Sequence, residues 1–280
     1  MIAATHPTVD GRRATVWSGG DGAPLLLVHG AWGGAPLHWS PVWTALAACF
    51  RVIAPDLPGI GDLDAPALPS LDAYADWLAA LLDAVGARDA VVAGNSLGAM
   101  LAWQLSARAP LRGLALVNGL PPRESPALVR ALVETRATRP LARALYRALS
   151  FSPSVRGRAF ADPTRAPVEL TRTLAAPPRT RLDALLALLG RGARPARRPS
   201  VPLLLLWGSA DRLPGTTAAA ARALHRALPG AALVLLPSAG HCPQLEQPAR
   251  FADALADFAL TPSTDAYAAA SPVATTDAGS

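Results

Sequence analysis

Short, unbroken apolar runs alternate with amphipathic stretches along this chain, and that alternation limits its fold more than any other feature. Leu25–His29 (LLLVH), Val52–Ala54, Ala90–Ala93 and Leu114–Val117 are too short for helices and show no polar alternation. Such runs predict strands buried on both faces. Between them, Pro41–Cys49, Leu71–Val85 and Leu97–Arg108 place apolar residues at helical spacing. Leu78, Leu81, Leu82 and Val85 follow the i, i+3, i+4, i+7 stripe, and Gly86 supplies a stop signal. Strands separated by helices pair in parallel through right-handed crossovers. The expectation is an α/β fold with a mostly parallel, doubly wound sheet.

The alternation breaks once. From Pro121 to Pro199 the chain is rich in Arg and Pro, with short amphipathic helices suggested by LVRALVETR and LARALYRAL. It resumes with the run Val201–Trp207, a helix over Thr217–Leu228, a strand at Ala232–Leu236 and a helix near Pro248–Phe258. Residues 1–120 and 200–260 are therefore expected to form one core, with 121–199 a helical cap inserted after the sixth strand. The segment 261–280 is small, polar and non-periodic, and is expected to be a disordered tail. A hydrophobic content of 51% is ample for a substantial core.

Charge follows the same division. The net charge is +6, and all 26 basic residues are Arg. Between Pro121 and Pro199 stand 16 Arg against 5 acids, +11, which leaves −5 for the remainder. No aromatic-interleaved basic motif accompanies the Arg, so no nucleic-acid partner is expected. A solvated surface is the simplest reading of these Arg. Recognition of a carboxylate, a phosphate or an acidic carrier protein is the alternative. No apolar run is long enough to cross a bilayer, and MIAATHPTVDGRR lacks the pattern of a signal peptide. A cytoplasmic protein without a membrane partner is expected. Cys49 and Cys242 make no disulfide framework and lack metal-ligand spacing, and Cys49 reads as a buried small residue.

Three positions carry chemistry. Gly94-Asn95-Ser96-Leu97-Gly98 is a G-x-S-x-G string that follows one apolar run and opens a helix. Such a strand-turn-helix exposes a nucleophilic Ser on a tight turn, with the helix N-terminus supplying partial positive charge. His241 lies just after the Ala232–Leu236 run, where a loop side chain can reach the mouth of the sheet. Asp211 follows the LLLLW strand and can accept a hydrogen bond from the imidazole. The order is Ser96, Asp211, His241.

With LLLVHGAWGG, RVIAPDLPGIG, VVAGNSLGAM, LLLLWGSADRLP and LPSAGHCPQLEQP, the chain resembles the α/β-hydrolase superfamily up to about Leu260. The resemblance implies Ser96 as nucleophile, His241 as base, Asp211 as orienting acid, and Ala31 and Leu97 as backbone oxyanion donors. His29 becomes a loop-ordering residue. The loop Pro55–Asp62 departs from the family pattern at Ile60, which touches the rim and not the triad. Some relatives carry the acid after the Leu114–Val117 strand, where this chain has Asn118. The implied reaction is hydrolysis of a carboxylic ester of a small or medium apolar substrate, through an acyl-enzyme. Trp32, Leu120 and Leu213 are expected as substrate contacts, with no cofactor and no metal. A carbon–carbon bond hydrolase, suggested by the Gly-Asn-Ser elbow, a thioesterase and a non-catalytic ligand receptor are the alternatives.

Overall fold

The computed structural model describes residues 1–261 of the chain, so all of the expected tail but Thr261 lies outside the described residues. Ten strands follow in order: β1 (Ala3–Thr5), β2 (Thr8–Val9), β3 (Arg12–Arg13), β4 (Val16–Gly19), β5 (Ala23–Val28), β6 (Phe50–Pro55), β7 (Ala90–Asn95), β8 (Leu111–Val117), β9 (Leu203–Gly208) and β10 (Ala232–Leu236). Eight of them form one sheet in the order β1-β4-β6-β5-β7-β8-β9-β10, while β2 and β3 pair as a separate small hairpin. The pairs from β6 to β10 are parallel, and β4 joins β6 antiparallel.

Each central strand feeds two cores. Leu26 and Val28 of β5 enter one cluster, and Leu25 and Leu27 enter the other. In β9, Leu203, Leu205 and Trp207 point one way and Leu204 and Leu206 the other. A strand whose two faces are both covered has no polar positions, which explains the unbroken apolar runs. Helices α1 (Ala35–Ala47) and α11 (Pro248–Leu260) cover one face; α2 (Leu71–Ala84) and α3 (Leu97–Leu105) cover the other. Ser70 caps α2 by accepting from Ala73 N–H at 3.1 Å.

Between β8 and β9 stand α4 (Ala127–Glu134), α5 (Arg139–Ser150), α6 (Pro153–Ala159), α7 (Val168–Ala175) and α8 (Arg179–Arg191). β8 is the sixth strand of the large sheet in chain order. Phe151, Val155, Phe160, Leu170, Leu182 and Leu185 from this segment join the cluster beneath α2 and α3. Val133, Ala142 and Leu186 make a small cluster of their own. After β9 come α9 (Ala218–Ala227), then α10 (Pro243–Glu246) and α11 beyond β10.

Two local expectations are corrected. The first helix begins at Ala35, not Pro41; Pro36 fills its first turn and Pro41 lies inside it. Cys49 is exposed, at the end of α1, while Cys242 is buried.

Candidate active site

Ser96 stands at the turn from β7 into α3 with φ 55° and ψ −111°. A left-handed φ costs a β-carbon-bearing residue about 1–3 kcal/mol, which the surrounding packing must hold. Two close approaches enforce the turn. A β-carbon on Gly94 would run into the Gly98 carbonyl, and one on Gly98 would run into the Val28 carbonyl. Leu97 opens α3, so its N–H has no helical acceptor.

The acid and base loops converge from the ends of β9 and β10. His241 Nδ1 lies 2.7 Å from Asp211 Oδ2, and both side chains are buried. With Nδ1–H donated to the carboxylate, Nε2 is left free to accept a proton. Asp211 accepts two further bonds, from Leu213 N–H at 2.9 Å and Asn118 Nδ2–H at 2.9 Å. Asn118 in turn accepts from Gly208 N–H at 2.8 Å, and its own φ is 41°. Asn95, beside Ser96, donates to the His241 carbonyl at 3.0 Å and ties the Ser96 turn to the loop that carries His241. The Cys242 thiol donates to Asn95 Oδ1 at 3.6 Å, and burial pushes its ionisation well above the ordinary range. It is a packing group here, not a nucleophile.

Glu246 holds the base loop from behind. Its carboxylate accepts from Gly240 N–H at 2.6 Å and from Ala161 N–H, just past α6, at 2.8 Å. His241 N–H donates to the Ala159 carbonyl at 2.6 Å, and Arg212 N–H to the Arg158 carbonyl at 2.9 Å. The inserted helices are thus stitched by backbone bonds to the loops that carry Asp211 and His241.

His29 is buried and held on both nitrogens: Nδ1 bonds the Gly30 carbonyl at 2.7 Å, and Nε2 accepts from Leu57 N–H at 2.9 Å. Burial lowers its pKa to about 4, and that of His38 to about 3. Both are neutral structural rings.

A cavity of about 560 Å³ opens over Ser96. Ala31, Leu97 and Thr216 line it near the nucleophile, and Met100, Tyr146 and Leu185 supply apolar wall. Thr216 Oγ1 lies 3.3 Å from His241 Nδ1, which brings the base to the cavity edge. Burial pushes the Tyr146 phenol up to about 12, so it remains a neutral hydroxyl. Among the described residues, no group of three or more His, Cys, Asp or Glu is arranged to hold a metal ion.

A family model described as the alpha/beta hydrolase family matches residues 25–254. The chain belongs to this family. An uncharacterized protein of Mycobacterium tuberculosis is 29% identical over 275 residues, covering 90% of this chain and 79% of that protein. A 2-hydroxymuconate semialdehyde hydrolase of a Pseudomonas strain is 37% identical over 111 residues, 38% of this chain and 39% of that enzyme. The solved structure of a thermophilic esterase from Thermogutta terrifontis superposes with a TM-score of 0.69 at 26% identity. That match covers 91% of this chain and 97% of the esterase.

Of the residues singled out in this alpha/beta hydrolase, Ser96, Ala31, Leu97 and Leu120 line the cavity, and Asp211 and His241 form the buried pair beside it. Among the described residues, Ser96 Oγ and His241 share no hydrogen bond. Trp32 and Leu213, expected as substrate contacts, are not among the lining residues. Trp32 instead turns its ring onto His241, 5.2 Å between centroids, and donates Nε1–H to the Ser150 carbonyl at 3.2 Å. Leu213 packs against the core. Sequence reading missed Asn118 as a partner of the acid, Glu246 as the anchor of the base loop, and the wall residues of α3, α5 and α8. Glu246 lies in the quoted LPSAGHCPQLEQP stretch, but its role is set by the Ala161 N–H, which arrives from just beyond α6.

Proposed function

We propose that this chain is a serine hydrolase that cleaves a carboxylic ester of a small or medium apolar substrate. The observation that carries the reading is the strained Ser96, at the N-terminus of α3 and on the floor of an apolar cavity, beside the buried Asp211–His241 pair. In this mechanism His241 takes the Ser96 proton as Oγ attacks the ester carbonyl. The N–H groups of Ala31 and Leu97 receive the oxyanion. His241 then passes its proton to the leaving alcohol, and water, activated by the same ring, releases the acid and restores Ser96. Asp211 orients the imidazole and stabilises its charged form.

The test is a Ser96→Ala variant assayed on aryl esters of increasing acyl length and probed with a fluorophosphonate. Turnover should fall by about a millionfold, as when a serine nucleophile is removed elsewhere, and labelling should vanish. Retention of either would sink the assignment. A second reading, carbon–carbon bond hydrolysis, draws on the likeness to the 2-hydroxymuconate semialdehyde hydrolase and on Asn95 preceding the nucleophile. Turnover confined to ring-cleavage products, with aryl esters inert, would favour it.

A further inference from the structure

Helix α5 presents a row of leucines to solvent. Leu141, Leu145 and Leu149 recur at i, i+4 and i+8 and are 64%, 49% and 60% exposed. Exposed Ala144 and Ala148 lie beside them, and no charge interrupts the row. Leu128 of the neighbouring α4 is 81% exposed. Single exposed leucines need no explanation, but three in register along a helix of about 18 Å do. The opposite side of α5 is packed: Ala142 is buried, Tyr146 lines the cavity, and Arg143 pairs with Asp183 at 2.6 Å. The leucine row is therefore the helix's free face, not a core face displaced.

The charges around it point to one kind of partner. Arg130, Arg136, Arg139 and Arg147 of the α4–α5 hairpin are all exposed, and none pairs with a carboxylate among the described residues. Glu134 is the single acid in the hairpin. A second copy of the chain docking through the same patch would set these arginines against themselves, because a twofold contact brings like surfaces together. An exposed apolar row on a hairpin that also carries four exposed arginines without carboxylate partners is matched by an anionic lipid surface, where leucines enter the acyl boundary and arginines meet phosphates.

We infer that the outer face of α5, with the arginines of the α4–α5 hairpin, docks this protein on anionic lipid surfaces. This departs from the absence of a membrane partner expected from the sequence. The lipid is bound from one side and not crossed; among the described residues no helix is long and apolar enough to span a membrane. Because Tyr146 projects from the same helix into the cavity wall, the docking element is also part of the pocket.

The test is co-sedimentation of the full chain with phosphatidylcholine vesicles, with and without phosphatidylglycerol. The wild type should pellet with the anionic vesicles and stay in solution with the neutral ones, with binding weakened about tenfold by raised salt. A Leu145→Glu, Leu149→Glu variant and an Arg136→Gln, Arg139→Gln, Arg147→Gln variant should each lose most of the binding. Unchanged turnover of a soluble substrate would show that both variants are folded. Wild-type protein that fails to pellet with anionic vesicles, pellets equally with both, or binds as before in both variants would overturn the inference. So would a dimer by light scattering that the leucine variant converts to monomer, because the face would then belong to a second copy.

Discussion

Asn118 divides its side chain between the acid and the strand that carries it: Nδ2–H reaches Asp211, while Oδ1 receives Gly208 N–H. A hydrogen bond to a charged group contributes about 1.5–3 kcal/mol, so its loss should loosen the Asp211 geometry without touching substrate. Asn118→Ala should lower kcat by about 10–100-fold and leave KM nearly unchanged, measured on a soluble ester. A loss confined to KM would mean that Asn118 does not act through Asp211. Gly98 makes the opposite kind of demand, purely steric. A methyl there meets the Val28 and His29 carbonyls, backbone atoms of the neighbouring strand that cannot swing aside. Gly98→Ala should destabilise the elbow by several kcal/mol, of the order found for overpacked sites, read by urea unfolding.

At the scale of elements, the loops that carry Asp211 and His241 depend on segments distant in sequence. Glu246 of α10 bridges Gly240 N–H to Ala161 N–H, so one carboxylate fixes the base loop to the chain beyond α6. Burial raises its pKa, and these donated bonds work against that rise. Glu246→Gln keeps the shape but offers one oxygen where two are needed. A fall in kcat of about tenfold, together with a lower Tm, is the expected result; a lower Tm with unchanged kcat would reduce Glu246 to a stability role. A second join is made by Gln104 of α3, nearly fully buried. Its Nε2 donates to Asp72 at 2.8 Å and to the Arg194 carbonyl at 3.0 Å, while Oε1 accepts from Ala196 N–H at 2.6 Å. Gln104→Leu strands these partners, and unfolding free energy should drop by about 2–4 kcal/mol.

For the whole molecule, acid stability follows from its buried rings. The unfolded chain protonates His29 and His38 near 6.5, whereas the folded chain does so only near about 4 and about 3. Between those values the unfolded state binds more protons, so stability falls as pH falls. Asp56 and Glu246, both raised by burial, hold protons in the fold where unfolded carboxylates have lost them, and offset part of that loss. The urea midpoint should decline from pH 6.5 towards pH 4, and His38→Gln should flatten the decline. A midpoint that rises over this interval would contradict neutral, buried rings.

The local pattern of residues was sufficient for the central strands, most helices and the Ser96 turn. Each rests on short-range physics: apolar runs need two covered faces, helical stripes need one, and a Gly-flanked serine between strand and helix needs a tight turn. The meeting of Asp211 with His241 follows the same logic, because strand ends in a parallel sheet share one edge and the chain order constrains which loops can meet there. The tertiary structure alone decided the rest. Asn118 stands where some relatives carry an acid and here donates to Asp211 instead, a contact visible only once β8 and β9 lie side by side. That Trp32 packs its indole beside His241 and bonds the end of α5 is likewise decided only by the fold. The exposed face of α5 carries the same leucines and arginines as any amphipathic helix. Which of its faces is buried depends on what packs beneath it, and that is a long-range fact no periodicity encodes.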